Sequence, residues 1–399
     1  MRIADVRTHV LVDPGYDPGS TSSAQDDIVV EVVAEDGTVG IGETDVNPWI
    51  AQACIEAPGT HTMGLGLRQM LLGQDATDVE ALWERLYTGS AMNGRRGALV
   101  HALGAVDMAL HDLRGKLAGK ACHVLLGGAV RDRVMPYASL QPEVDDIDRY
   151  HETMVAWAVR ARELGFRAAK LECSFSGPYA HMHLKAPWQR ITEIIRSVRR
   201  AVGDQMRLMV DVQYAFADAD TAIGVLRSWE PYDLFFVETP LAADDLDGYA
   251  RVAAEQPIPV AAGEWLATRF EFRDLMERGR VAVVQPDVGR VGGLTEALRV
   301  ARDAEAAGRL VVPHAWKTGI SVAAAVQLAA VSRACVMVEF LPGALCASPL
   351  RRELVAEEPA LRDGFLAVGE APGLGVALDA DAMARFEAAA ARLLPLPSR

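Results

Sequence analysis

Three stretches, Leu208-Met209-Val210-Asp211, Phe235-Phe236-Val237-Glu238 and Ala261-Ala262-Gly263-Glu264, share one pattern: a few apolar residues that end in an acid. Each apolar run reads as a buried strand, and about one strand–helix unit separates each acid from the next. The rhythm continues outward in both directions. β-rich runs at Val134–Leu140, Arg167–Cys173, Arg207–Val212, Leu234–Glu238, Ile258–Ala262, Val281–Gln285, Leu310–Pro313 and Val336–Phe340 alternate with amphipathic stretches such as Tyr150–Leu164, Pro187–Val202, Gly293–Ala307 and Ile320–Ser332. Alternation repeated about seven times, with a closing strand, reads as an α/β fold of the modified (β/α)7β TIM-like barrel type. An open doubly wound sheet is the runner-up, but it usually has fewer units and a phosphate loop after its first strand. The glycines at Gly64-Leu65-Gly66 and Gly292-Gly293 make no Gly-x-Gly-x-x-Gly fingerprint.

Upstream of the barrel, Ile3–Val12, Ile28–Ala34 and Thr38–Val46 read as strands, the last two joined by the hairpin turn Glu35-Asp36-Gly37. Helical patterns follow at His61–Leu72, Asp78–Thr88 and Gly97–Lys116. The 399 residues exceed what one core usually holds, so two domains are expected. They divide as an N-terminal α+β capping domain over 1–130, a barrel over 131–348, and a segment over 349–399 that packs back on the cap through a helix at Ala380–Leu394.

The formal net charge of −14 argues against a nucleic-acid surface, which needs clustered Lys and Arg. Five cysteines without a Cys-x-x-Cys pair point to reduced, inert thiols. No apolar run nears the ~18 residues of a membrane span, and the start lacks a signal pattern. A cytoplasmic protein with a small-molecule partner is expected, with neither nucleic acid nor membrane.

In a barrel, chemistry gathers at the carboxyl ends of strands. Asp211, Glu238 and Glu264 would then converge at one rim, where three acids without a counterion repel and resist ionisation. A hard divalent cation resolves that conflict, and all-oxygen ligands favour Mg²⁺. For a single acid, capping the next helix is an equally good reading; three in register favour the metal.

With these acids, the sequence resembles the mandelate racemase and muconate lactonizing enzyme branch of the enolase superfamily over nearly its whole length. The resemblance is carried by Gly40-Ile41-Gly42-Glu43, by the helix Ala105–Lys116, by Leu125-Leu126-Gly127-Gly128 and by Gln285–Gly293, with the strand-end residues His314 and Glu339. It implies an enzyme that removes the proton α to a carboxylate. Asp287 and His314 would form a dyad in which the carboxylate fixes the imidazole tautomer and raises its basicity. Glu339, with a raised pKa, would donate to a substrate oxygen. A homo-oligomer, from dimer to octamer, is also implied.

The sequence departs from that pattern at the second barrel strand. Many relatives carry Lys-x-Lys there; this chain has Lys170-Leu171-Glu172. A carboxylate beside a divalent cation is a weak base, so Glu172 makes two-sided proton transfer less favourable. Gln213, which has no useful proton to give, stands where some dehydrating relatives place a histidine, and Tyr214, which could donate one, follows it. Syn elimination needs only His314, and the expected activity is therefore dehydration of a sugar acid to a 2-keto-3-deoxy acid. Lys170 either binds a substrate carboxylate or pairs with Glu172 or Asp211. Trp316 and Lys317 are expected in the pocket wall, and the loops bearing Ser22 and Trp49 over its mouth. His181-Met182-His183 reads as chance pairing on a surface loop. The rivals are a racemase, epimerase or lactone cycloisomerase, a non-catalytic sugar-acid binding protein, and a Schiff-base aldolase using Lys170.

Overall fold

The computed structural model describes residues 1–393. β1 (Ile3–Val12), β2 (Asp26–Ala34) and β3 (Val39–Thr44) form an antiparallel meander in that order. The β2–β3 turn closes at Gly37, whose φ of +87° favours glycine, while Thr38 N donates to Asp36 Oδ1 at 2.9 Å. The sheet lies against the helix Ala98–Ala118, and Gly40 and Gly42 permit the approach: a Cβ at either would come within 2.1 Å of a helix carbonyl.

One helical expectation in this region needs correction, and one helix was not expected. His61–Leu72 is helical only over Leu67–Leu71, because Gly66 is extended and seats itself against the Ala57 carbonyl. A helix that was not anticipated runs Pro48–Glu56, with Pro48 in its first turn and Asn47 accepting from Ile50 N at 3.3 Å.

β4 (Arg133–Val134) leads into the barrel strands β5 (Pro136–Leu140), β6 (Ala168–Glu172), β7 (Arg207–Asp211), β8 (Leu234–Glu238), β9 (Val260–Ala262), β10 (Val283–Val284), β11 (Leu310–Val311) and β12 (Val338–Phe340). They form one parallel sheet in the order β11-β10-β9-β8-β7-β6-β5-β12. Its two end strands meet through Val311 N to Ala334 O at 2.9 Å and Val336 N to Val311 O at 3.1 Å, which closes the ring. A helix follows each strand except the last. In Trp188–Val202 the buried side chains Ile191, Ile194, Ile195, Val198 and Val202 recur at helical spacing, each contributing roughly 1.5–3 kcal/mol of burial. Gly319–Val331 is buried on nearly every face, since barrel and cap both press on it.

Glu43, at the end of β3, reaches across that seam. It accepts from Thr318 N at 3.1 Å, Thr318 Oγ1 at 2.6 Å and Ser321 N at 2.7 Å, and so caps the helix after the seventh barrel strand. The C-terminal segment touches both parts of the molecule. Its hairpin, Leu361–Arg362 with Phe365–Ala367, pairs with β4, and its helix Ala380–Leu393 lies along β1. Leu394, the last position of the expected helix, lies outside the described residues. All five cysteines are free, and burial pushes the Cys335 thiol up to about 12. No helix among the described residues is long and apolar enough to cross a membrane.

Candidate active site

The parallel register decides which side chains meet. Glu172 lies beside Asp211 and Asp211 beside Glu238, each the last residue of its strand. After β9 the chain turns at Gly263, whose φ of +125° and closeness to Phe272 exclude a side chain, and presents Glu264 to the same rim. Asp211, Glu238 and Glu264 are buried, and each offers an oxygen within 4.8 Å of the others'.

The Lys170 ammonium enters this cluster from β6, 3.0 Å from Glu238 Oε1 and 2.9 Å from Glu339 Oε1. Glu172 and Asp211, the two partners expected for it, lie farther off at 3.5 and 3.7 Å. Burial works against the Lys170 charge, but Glu238 and Glu339 hold its pKa well above the usual range. The acids still outnumber the cations. Burial, resisted by Lys170 and reinforced by Asp211, pushes Glu238 up to about 8, and its Oε2 is buried without a hydrogen-bond partner. Converging oxygen donors short of positive charge fit a hard divalent cation, Mg²⁺ above all.

Glu339 departs from expectation. Burial would raise it, but Lys170, His314 and the Ala315 N–H (2.9 Å) hold it down at about 2, so the anticipated raised pKa is not found. Facing the acids, His314 places Nδ1 2.7 Å from Asp287 Oδ2 and Nε2 3.3 Å from Glu264 Oε2. Asp287 is itself fixed, because its Oδ1 accepts from Arg290 N at 3.0 Å. Burial opposes a charge on His314, yet Glu339, Asp287 and Glu264 together push it up to about 9.

Glu172, which lines the same cavity as His314, accepts from Ser139 Oγ at 3.2 Å and Gln213 Nε2 at 3.3 Å. Gln213 and Tyr214 have φ of +47° and +60°, a costly conformation for side-chain-bearing residues that is fixed by Gln213 N to Asp211 Oδ1 (2.8 Å) and Tyr214 N to Thr239 O (2.7 Å). Tyr214 stacks on Trp265 with ring centroids 4.1 Å apart, and Tyr179 meets both edge-on. These groups, with Thr21, Ser23, Gln141, Arg290 and Trp316, enclose a cavity of about 260 Å³.

The loop after β1 reaches the barrel through Trp316, whose Nε1 donates to Ser22 Oγ at 3.1 Å. Lys317 lies outside the cavity wall. It sits beneath the loop, 2.9 Å from Asp26 Oδ1 and 3.1 Å from Asp45 Oδ1, and also donates to Ser23 O. Trp49 lies in the first turn of its helix and faces a different groove, beside Tyr16 and Asp17. His181 is buried rather than on the surface, with Nδ1 2.9 Å from Thr21 Oγ1 and Nε2 3.1 Å from Pro142 O.

Comparison with known families now bears on this geometry. Residues 153–382 match the family described as "Enolase C-terminal domain-like", and residues 6–127 match "Mandelate racemase / muconate lactonizing enzyme, N-terminal domain". The chain belongs to this branch of the enolase superfamily. It is 32% identical to a D-galactarolactone cycloisomerase of Agrobacterium fabrum, over 97% of this chain and 99% of that protein. It is 34% identical to an L-rhamnonate dehydratase of Saccharopolyspora erythraea, over 88% of this chain and 83% of that one. The crystal structure of a racemase from Streptomyces coelicolor A3(2) with bound magnesium superimposes with a TM-score of 0.81 at 27% identity, covering 96% of this chain and 99% of that one.

Within this enolase-superfamily barrel, sequence reasoning missed Tyr179, Trp265, Arg290 and Gln141. Trp265 directly follows the third acid and Arg290 lies inside the Gln285–Gly293 motif, so both had a positional signal. Arg290 pairs with Asp45 and donates to the Glu264 carbonyl at 3.2 Å, joining cap to rim. Tyr179 sits in a long loop whose sequence has no such mark.

Proposed function

We propose that this chain is a dehydratase of a sugar acid, removing the proton α to the carboxylate and expelling the β-hydroxyl to leave a 2-keto-3-deoxy acid. The observation that carries the reading is one-sided: the cavity lining holds one imidazole, His314 on Asp287, while β6 enters it with a carboxylate, Glu172, as its last residue. Asp211, Glu238 and Glu264 would hold Mg²⁺, which when bound supplies positive charge to offset the negative charge gathering on the substrate carboxylate. Asp287 keeps a proton on Nδ1, and a cation held by Glu264 and its neighbours would offset the charge that raises the His314 pKa, leaving Nε2 free to take a proton from carbon. The imidazolium then lies on the same face as a syn β-hydroxyl and can protonate it as it leaves. Lys170 lies among the rim acids, where it can bind a substrate carboxylate oxygen. Trp316 from the barrel and the capping loop, through Thr21 and Ser23, close over the cavity and exclude water, with Ser22 tying the loop to Trp316.

The test is a screen of mono- and diacid sugars with Mg²⁺, scored for 2-keto acid. Product from one of them, lost in His314→Asn, is the expected result; none from any would sink the reading. A second reading rests on the Tyr179, Tyr214 and Trp265 shelf, which suits stacking on a closed ring. On that reading the chain is a lactone cycloisomerase, sharing the proton abstraction but isomerising without loss of water, as the similarity to the Agrobacterium enzyme also suggests. Solvent deuterium entering the product without release of water would favour it.

A further inference from the structure

At the end of the barrel opposite the acids lies a second cavity, of about 480 Å³, that the proposed reaction does not use. Four arginines line it. Arg131 and Arg133 lead into the first barrel strand, Arg167 precedes β6, and Arg207 opens β7. Phe365, from the C-terminal hairpin, completes the wall.

In a chain of net charge −14, acids are plentiful, yet among the described residues none of these four guanidiniums has a carboxylate oxygen within 4.0 Å. The cluster is nonetheless built. The Arg133 and Arg167 guanidiniums stand 4.4 and 4.7 Å from the Phe365 ring centroid, so two cations share one ring. Arg167 also donates to Asp363 O at 2.9 Å. The hairpin turn is shaped around it: Gly364 has a φ of +82°, and a Cβ there would lie 2.4 Å from Arg167 Nε. Arg131 directs its donors to the carbonyls of Ser332, Arg333 and Cys335. Arg133 and Arg207 have no side-chain hydrogen bond to any described residue. Arg133, Arg167 and Arg207 are exposed, so water screens much of their mutual repulsion and an anion between them would offset the rest, and the guanidinium fork matches oxyanions two bonds at a time.

We propose that this cavity binds a small, multiply charged oxyanion, either a phosphate ester or a polycarboxylate, at a site separate from the substrate's. Arg133 and Arg207 supply the free donor forks, and Phe365 offers an apolar face to the remainder of the molecule.

The test uses the full chain with Mg²⁺ and no substrate, so its outcome is independent of the reaction assigned above. Calorimetric titration and thermal melting are run with glucose 6-phosphate and with tricarballylate, against glucose and KCl of matched ionic strength. One saturable site for one of the charged probes is expected, weakened about tenfold or more in Arg133→Gln/Arg207→Gln. Arg207→Gln alone serves if the double variant melts early. The probe that binds tells phosphate ester from polycarboxylate. Heats no larger than those of KCl, or equal binding by wild type and variant, would overturn the proposal. So would a variant that drops to a smaller assembly in light scattering while neither probe binds, because the arginines would then face a second copy.

Discussion

His314 and His111 are both buried with a ring nitrogen within 4.0 Å of an aspartate, at 2.7 and 3.7 Å, yet they titrate in opposite directions. His314 is pushed up to about 9 and His111, by burial and then by Arg114, down to about 3. The difference lies in the aspartates and what surrounds them. Asp287 bonds the ring directly, and Glu264 and Glu339 add negative charge near the other nitrogen. Asp107 instead gives its oxygens to Thr295, at 3.0 Å from the backbone N and 2.6 Å from Oγ1, and burial pushes its own pKa up to about 7. His111 Nε2 is left with the Thr295 hydroxyl at 2.9 Å. An adjacent acid makes a base of a histidine only when its carboxylate points at the ring and other acids reinforce it.

The widest separation between the two sites is expected in turnover. His314→Asn should cost about 10²–10⁴-fold or more in kcat, the usual worth of a general acid–base group. His111→Asn should leave kcat within about threefold while lowering stability by roughly 1–3 kcal/mol, the cost of leaving a buried polar partner unmet. Steady-state kinetics and melts on both variants check this. A folded His111→Asn enzyme as dead as His314→Asn would break the contrast.

A second separation concerns cations. The rim acids fit Mg²⁺, and among the described residues Asp107 belongs to no comparable set of oxygens. Saturating Mg²⁺ should therefore raise the wild-type melting point, by a stabilisation of about 2.7 kcal/mol at a hundred times the dissociation constant. Glu264→Gln should lose most of that rise and Asp107→Asn should keep it. Chelator should abolish turnover, and full activity in its presence would refute the cation's role.

Much of this contrast was legible in sequence. The barrel strands alternate with helices at a spacing that apolar runs reveal, and Asp211, Glu238 and Glu264 recur once per unit, so the fold and the meeting of the acids could both be read. What could not be read depended on distance across the fold. Glu172 has a visible identity, but its hydrogen bonds come from Ser139 on β5 and from Gln213 in the turn after β7. Lys317 follows His314 by three residues, yet Asp26 and Asp45 draw it under the capping loop. The direction of the Glu339 pKa is set by Lys170, Ala315 and His314, which no local pattern ties together. The short helix Pro48–Glu56 was missed because Asn47-Pro48 reads equally well as a turn or a cap.

Asp107 sharpens the comparison through pH. Its folded pKa of about 7 exceeds the ~3.9 of an unfolded aspartate, so between those values the folded state holds the extra proton. Its contribution to stability should accordingly fall as pH rises from about 4 to 7 and level off above. Asparagine keeps the acceptor for Thr295 N and cannot ionise. Melting points of Asp107→Asn against wild type should diverge across that window by a few degrees, with the variant gaining as pH rises. Parallel curves would mean that Asp107 is ionised in the fold, and the explanation given for His111 would fail with it.

The smallest effect is expected where a third histidine meets acids near solvent. His9 on β1 lies 2.6 Å from Glu387 on the C-terminal helix and 3.4 Å from Glu31 on β2. The Glu31 hydrogen bond raises its pKa, burial opposes, and Glu387 adds to the rise. Because the folded value lies above the unfolded one, the stabilisation is complete below about pH 6.5 and is lost as pH climbs through the raised folded pKa. The Glu387 side chain is 44% exposed, so solvent screening limits the pair to at most about 1 kcal/mol, a degree or two in melting point. His9→Gln should remove that decline without altering turnover, and added salt should shrink the difference. If wild type and His9→Gln lose stability in parallel above pH 6.5, the C-terminal helix is held on β1 by its apolar face alone, through residues such as Phe386 and Ala390.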